Sequence, residues 1–269
     1  MPDMNHILAT HDLFLMTLDT LRYDVADREM RAGRTPVFAR LFPEGWQKCH
    51  SPASFTYAAH HAFFAGFLPT PVTNPRQNRL FAMAFPGATT QDRHTAVFEA
   101  ADVVSGLRAA HWKTYCIGGV GFFNMQTPLG RVLPDLFEHA YWRPEFGVTE
   151  PESPRFQFGK AADLLEGLDA EQRFLMFINV AAIHQPNRHY LAGADRDTLD
   201  SHAAALRYVD RFFEPLLDSL TRRERPVFLL ICSDHGTAYG EDGYVGHRAA
   251  HETIWTVPLA FRSTTELRR

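Results

Sequence analysis

The sequence predicts an α/β protein with a mostly parallel central sheet, on three observations. Short continuous apolar runs recur at residues 13–18, 114–117, 174–178 and 227–231. Runs of this length without polar alternation belong to strands buried on both faces of a parallel sheet. Segments with helical spacing lie between them, which is the α/β rhythm. Three of the runs also lead into ionisable side chains: Asp19 after the first, His184 after the third, Asp234 and His235 after the fourth. Ligands in such folds bind beyond the carboxyl ends of the strands.

The totals narrow the function classes. A chain of 269 residues has ample length for a sizeable core, and 45% hydrophobic with 22% charged residues is ordinary for a soluble globular protein. A formal net charge of -4 argues against a general affinity for nucleic acid or an anionic membrane. No run approaches the roughly 20 apolar residues that span a bilayer. Residues 1–12 lack a basic segment followed by an apolar one, so no secretory signal is visible. Cys49, Cys116 and Cys232 are odd in number and lack metal-type spacing. They read as reduced core residues, and the expected location is cytoplasmic.

Taken in order, the first apolar run ends in Asp19-Thr20-Leu21-Arg22-Tyr23-Asp24. Asp19 has two readings: a cap for the next helix, or one of two carboxylates that meet Asp234 at a cation, since like charges at close range do not both stay ionised unaided. Arg22 serves either the site or a surface ion pair. Residues 35–42 form a short helix with Pro36 in its first turn, and residues 46–50 a strand. Residues 51–57 are loop-like; a helix follows over 58–65, stopped by Gly66 and Pro69. Thr56 is then either an N-cap or a nucleophile. The free N–H groups and positive dipole end of a helix N-terminus suit a phosphate or sulfate. A metal held by Asp19, Asp234 and His235 would lower the pKa of the Thr56 hydroxyl.

Residues 70–90, rich in proline, asparagine and glycine, form a surface excursion. Residues 96–111 carry Val97, Ala100, Val104 and Leu107 on one helical face. The strand at 114–117 turns at Gly118 and Gly119. Residues 124–154 read as irregular, and 159–168 as a helix. The strand over 173–180 leads to His184, which as imidazolium binds an anion, as neutral imidazole holds a second metal, or is an ordinary loop residue. A helix over 200–220 carries Ala204, Tyr208, Phe212, Leu216 and Leu220 along one stripe. After Gly236 a glycine-punctuated loop leads to His247, Arg248, His251 and Glu252. The final strand over 254–261 contains Pro258, which argues for an edge or a bulge.

These stretches together resemble the alkaline phosphatase and sulfatase superfamily, in particular its sulfatase-like branch. Leu18 to Asp24 is similar to the D-T-L-R-x-D segment that follows that family's first strand, and Thr35-Pro36 with Leu41 to its T-P-x-x-x-x-L segment. Ser51 through Pro69 matches S-P-x-x-x-T-x-P-S-H-A-S-L-L-T-G-x-x-P without a gap, with Thr56 at the nucleophile position. Ser233-Asp234-His235-Gly236, Gly240-Glu241-Asp242-Gly243 and Val257-Pro258 reproduce S-D-H-G, G-E-x-G and V-P in order. Ile183-His184-Gln185-Pro186 is similar to P-H-x-P.

The resemblance implies an alkaline phosphatase-like three-layer sandwich, a single catalytic domain over residues 1–269, and absence of the usual C-terminal subdomain. It implies one divalent metal, zinc, manganese or magnesium, on Asp19, Thr56, Asp234 and His235, with room for a second. Thr56 would be the nucleophile, supported by Arg22, His60, His184 and His247. There are departures. Thr56, Ala58 and His60 stand where sulfatases carry C/S-x-P-x-R, so conversion to formylglycine is not expected. Leu18 replaces the first of two adjacent aspartates, Gly118-Gly119-Val120-Gly121 replaces G-K-W-H, and His247 replaces a lysine. An unmodified threonine resembles the phosphodiesterase and phosphoethanolamine or glycerol-phosphate transferase members. The expected function is a metal-dependent hydrolase or transferase of phosphoesters acting on a small-molecule or modified-peptide ester. Two rivals are a sulfuric ester hydrolase using unmodified threonine and a catalytically silent metal-binding partner protein.

Overall fold

The computed structural model describes residues 2–66 and 102–267. The chain enters through helix α1 (Met4–Thr10) and strand β1 (Asp12–Leu18), then α2 (Tyr23–Arg31), α3 (Pro36–Leu41), β2 (Gln47–His50) and α4 (Thr56–Ala65). Next come α5 (Val103–Ala109), β3 (Lys113–Ile117), the short α6 (Pro128–Arg131), β4 (His139–Tyr141), α7 (Ser153–Glu166), β5 (Phe174–Val180), α8 (Leu199–Arg222) and β6 (Val227–Cys232). A small hairpin, β7 (Ala238–Tyr239) and β8 (Val245–Gly246), precedes α9 (Glu252–Trp255) and β9 (Thr256–Ser263).

The main sheet has the order β2-β9-β6-β1-β5-β3-β4. β1 pairs in parallel with β5 and β6, and β3 in parallel with β5 and β4. β9 runs antiparallel to both of its neighbours, β6 and β2. The expected fold, mostly parallel and alkaline phosphatase-like, is therefore observed. All seven residues of β5 are buried, which is why its sequence shows no polar alternation until Asn179. Alternate residues of the central strands feed two cores. Phe14, Met16, Leu18, Met176, Ile178, Leu229 and Ile231 join the core on the side of α2, α3, α7 and α8. Leu13, Leu175, Phe177 and Phe228 join Tyr57, Phe64, Val104 and Leu107 of α4 and α5 on the other side. The result is helices, sheet, helices.

Several boundaries differ from the sequence expectation for identifiable reasons. α4 begins at Thr56 and not at residue 58, with Phe55 as N-cap; Gly66 ends it in the left-handed region at φ 78°. α7 begins at Ser153, six residues early, because Pro154 fits a first helical turn that its composition disguised as loop. β4 lies within the stretch expected to be irregular; three residues are too few to show a period. Pro258 is not on an edge strand, since β2 covers that side. It sits just beyond Leu259, where pairing with β6 ends, and its carbonyl accepts the Ser233 N–H at 3.0 Å. The surface excursion expected over 70–90, and Pro69 as a helix stop, lie outside the described residues; of the helix expected over 96–111, α5 is the described part.

Candidate active site and metal centre

Three strands deliver the site to one edge of the sheet. β1 and β6 run parallel with Thr17 beside Cys232, so Asp19 and the Ser233-Asp234-His235 turn emerge together. Asp19, Asp234 and His235 are fully buried. Thr20, a β-branched residue, is held at φ 64°, a conformation that costs free energy and persists only where surroundings enforce it. The turn aims the Thr20 N–H at Asp234 Oδ1 (3.2 Å), which also accepts the His235 N–H at 3.0 Å. Asp234 Oδ2 has no hydrogen-bond partner, and neither has Asp19 Oδ1.

The tautomer of His235 follows from its neighbours. Its Nδ1 lies 2.8 Å from the Gly236 carbonyl. A carbonyl only accepts, so Nδ1 carries the proton and Nε2 presents a lone pair. That lone pair lies 3.2 Å from Thr56 Oγ1, 3.5 Å from Asp234 Oδ2 and 4.0 Å from Asp19 Oδ1. Burial lowers the pKa of His235 and raises those of both aspartates, and the neighbouring Asp234 raises Asp19 further. Ligand atoms of Asp19, Asp234 and His235 lie within 4.8 Å of one another. Buried oxygens without donors and an imidazole lone pair face a common point, with the Thr56 hydroxyl beside them. This donor set fits a divalent cation.

Thr56 is the first residue of α4, and its hydroxyl does not cap the helix. It donates toward Asp19 Oδ2 at 3.4 Å and lies against His235 instead. The N-cap reading is thus replaced by one in which the side chain turns into the cluster. Behind it runs a chain of buried hydrogen bonds. Asn179 Nδ2 donates to Asp19 Oδ2 (2.9 Å) and to Thr17 Oγ1 (3.3 Å). Thr17 Oγ1 lies 3.0 Å from His60 Nε2, and His60 Nδ1 lies 2.7 Å from the Thr56 carbonyl. Burial pushes the His60 pKa down to about 3, so the ring is neutral and fixes the first turn of α4 through the Thr56 backbone. Asn179 Oδ1 accepts the Val120 N–H at 2.9 Å, which joins the glycine turn after β3 to the same network.

His184 and His247 come together from different loops, ring centroids 5.5 Å apart, and His247 lies 4.7 Å from His235. Burial pushes the His247 pKa down to about 3. Arg22 is placed differently. Its Nε and Nη2 form a bidentate pair with Asp24 (2.9 and 2.7 Å), and its Nη1 meets Glu241. It ties the turn after β1 to the loop after β7, and its hydrogen bonds go to Asp24, Glu241 and the Thr237 carbonyl. The sequence reading did not single out Thr17, Thr20 or Asn179 as site residues. Asn179 had a signal, a lone amide in an apolar strand; the two threonines had none.

A family model described as Sulfatase matches residues 102–267, more than half of the chain. The chain belongs to the sulfatase family. The matched part carries Asn179, His184, Asp234, His235 and His247. A search of curated proteins gives no match. Among solved structures, this sulfatase-family chain is similar to the C-terminal periplasmic domain of phosphoethanolamine transferase EptC from Campylobacter jejuni. The TM-score is 0.64 at 14% identity, covering 96% of this chain and 81% of that one. The corresponding domain of EcEptC from Escherichia coli, in complex with Zn, gives 0.63 at 14% identity, covering 94% and 72%. The lipoteichoic acid synthase LtaP from Listeria monocytogenes gives 0.62 at 14%, covering 94% and 65%. These likenesses establish the shared fold. They also correct the cytoplasmic expectation: the EptC neighbours are periplasmic domains, which points away from the cytoplasm. Two of the three free cysteines are buried; they report core packing, and packing is the same in either compartment. No helix among the described residues is long and apolar enough to cross a membrane.

Proposed function

We propose that the protein is a metal-dependent phosphoester hydrolase or transferase in which Thr56 is the nucleophile. The observation that carries this reading is the position of Thr56 Oγ1. It lies at a helix N-terminus, 3.2 Å from His235 Nε2 and 3.4 Å from Asp19 Oδ2, with no capping task. Asp19, Asp234, His235 and Thr56 would hold a divalent cation, which neutralises charge at the site and favours the alkoxide form of the hydroxyl. Zinc in the EcEptC neighbour supports that choice of metal without excluding manganese or magnesium.

The protein's own groups divide the remaining work. Thr56 Oγ attacks phosphorus in line; the new Oγ–P bond forms as the bond to the leaving alkoxide breaks. The first N–H groups of α4 have no intrahelical acceptor and face the non-bridging oxygens. His247, whose ring centre lies 4.7 Å from that of His235, offers an imidazole N–H to the developing charge, and His184, whose Nδ1–H is held by the Gln185 carbonyl at 2.5 Å, packs against it. His60, Thr17 and Asn179 hold Thr56 and Asp19 still. Arg22 supports the site by bracing its two loops through Asp24 and Glu241. The phosphothreonine then passes its phosphoryl group to water or to another acceptor. The phosphoethanolamine transferase and lipoteichoic acid synthase neighbours support phosphorus over sulfur; the family description keeps the sulfate ester as the second reading.

The test is turnover of chromogenic phosphate monoester, phosphodiester and sulfate ester by wild type, Thr56→Ala and Thr56→Ser. Phosphoester cleavage that falls at least 1,000-fold (~4 kcal/mol) in Thr56→Ala and partly survives in Thr56→Ser is expected, with phosphothreonine trapped by mass spectrometry. Full activity in folded Thr56→Ala refutes the mechanism. Faster cleavage of the sulfate ester transfers the proposal to the second reading.

A further inference from the structure

Behind the loops that frame the site lies a second set of polar side chains that the reaction described above does not use. Asn187, Ser201 and His202 are fully buried, and Tyr239 is partly so. We propose that Tyr239 is a positioning residue: its hydroxyl latches the loop that carries His184, and with it His247, to the turn that carries Asp19. The proposal rests on the reading that places His184 and His247 beside the reacting ester.

The chemistry of the partners fixes the direction of each bond. The Arg22 N–H reaches His202 Nε2 at 3.4 Å, so that nitrogen accepts and Nδ1 carries the proton. Nδ1 lies 3.0 Å from the Tyr239 hydroxyl and donates to it. Asn187 Nδ2 donates to the same oxygen at 2.9 Å and to the Ile183 carbonyl at 2.9 Å. The phenol oxygen therefore accepts twice, and its own proton is left for the Gln185 side chain, to which it is also hydrogen-bonded. Burial raises the Tyr239 pKa, so the phenol keeps that proton. Asn187 Oδ1 accepts from the Ser201 hydroxyl, in the first turn of α8, at 2.6 Å. The Tyr239 N–H donates to Glu241 Oε2 at 2.6 Å, and the other oxygen of Glu241 meets Arg22.

Three strand-end loops thus meet at one oxygen. Arg22 follows Asp19 by three residues, Asn187 follows His184 by three, and Tyr239 follows His235 by four. Stability alone does not call for such a network, because replacing both partners of a buried hydrogen bond by apolar groups of the same shape can be nearly neutral. Apolar packing has no direction, whereas a fully satisfied polar network holds its members in one arrangement. What this one holds is the imidazole pair. His184 Nδ1 lies 2.5 Å from the carbonyl of Gln185, the residue whose side chain the phenol binds, and the His184 ring centre lies 5.5 Å from that of His247. His247 departs from the hairpin in which Tyr239 pairs with Val245 and Ala238 with Gly246. Tyr239 therefore touches the supports of both rings.

The test compares zinc-loaded wild type, Tyr239→Phe, His184→Ala and the double variant in turnover of the phosphoester that wild type cleaves fastest, in zinc titration and in amide hydrogen exchange. Tyr239→Phe is expected to lower kcat by about tenfold or more with KM and zinc affinity retained. It should cost almost nothing further when residue 184 is already alanine, because the latch acts through that ring. Amides of residues 183–188 should exchange about tenfold faster in Tyr239→Phe, while those of β5 keep their wild-type rates. A kcat loss that is undiminished in the His184→Ala background overturns the proposal, and so does unchanged kcat with unchanged exchange. A loss of zinc affinity as large as the loss of kcat also overturns it, since Tyr239 would then prop the metal turn and not His184. If Tyr239→Phe does not fold, Gln185→Ala, which cuts the tie between the phenol and the residue beside His184, takes its place with the same expectations. If wild type cleaves no ester, the Thr56 reading falls and exchange over 183–188 alone decides the latch: faster exchange in Tyr239→Phe keeps it, and wild-type rates remove it.

Discussion

The amide of Asn179 does more for the site than its position inside an apolar strand suggests. One side-chain nitrogen serves both Asp19 and Thr17, and the oxygen anchors Val120. Asp19 thereby keeps one oxygen committed and turns the other, unpartnered, toward Asp234 and His235. Groups that orient metal ligands are typically worth about 10- to 100-fold in metal affinity. Asn179→Leu, matched in heavy-atom count and branching but without hydrogen bonds, should therefore weaken zinc binding by about that factor. Zinc titration of a variant that still unfolds cooperatively reads this out, and unchanged affinity would remove Asn179 from the site. His60 illustrates the opposite lesson. The family resemblance makes it a support for the nucleophile; in the structure its contact with Thr56 is to the backbone carbonyl, at the first turn of α4.

At the scale of elements, the helices on one face are locked to each other by buried carboxylates. Asp210 of α8 accepts the Val37 and Phe38 N–H groups at the start of α3 (3.2 and 2.7 Å), a cap supplied from another helix. Glu29 of α2 is buried and receives Arg34 at 2.6 Å and Arg207 of α8 at 2.7 Å. Burial alone would raise the Glu29 pKa; the hydrogen bonds from Arg34 and Arg207 outweigh it and hold the carboxyl down at about 2, from an ordinary 4.5. A depressed carboxyl pKa contributes stability that is complete above the unfolded value and is lost as pH falls through the folded one. The clamp should thus contribute on the order of 2 kcal/mol at neutral pH, after allowance for the partly exposed arginines. That contribution should fade as pH falls from 4.5 toward 2. Urea unfolding of wild type and Glu29→Gln across this range measures it: the stability gap should close with acid, and a gap independent of pH would show that the ion pairs are not the cause.

For the molecule as a whole, the fold concentrates buried negative charge at one point of the sheet edge. Two carboxylates that burial already disfavours are held together by β1 and β6. A cation bound only by the folded state stabilises it by mass action, about 2.7 kcal/mol at a hundredfold excess over Kd. Chelation should lower the thermal midpoint of wild type, zinc should restore it, and Asp234→Asn should respond to neither. A wild-type midpoint indifferent to both would show that the cluster holds no metal.

The sequence by itself determined the central strands β1, β3, β5 and β6, the mostly parallel sheet and the acids and histidine at the ends of β1 and β6, because burial on both faces writes itself as unbroken apolar runs that stop where solvent or chemistry begins. It also determined the order of the family landmarks, from Thr56 to Ser233-Asp234-His235-Gly236. Only the tertiary structure decided what the side chains face. Whether the Thr56 hydroxyl caps α4 or enters the cluster, whether Arg22 meets substrate or Glu241, and whether Asn179 is filler or anchor all depend on partners far away in the chain. Periodicity records which side of an element is buried, and a hydrogen bond between residues 160 positions apart leaves no trace in it.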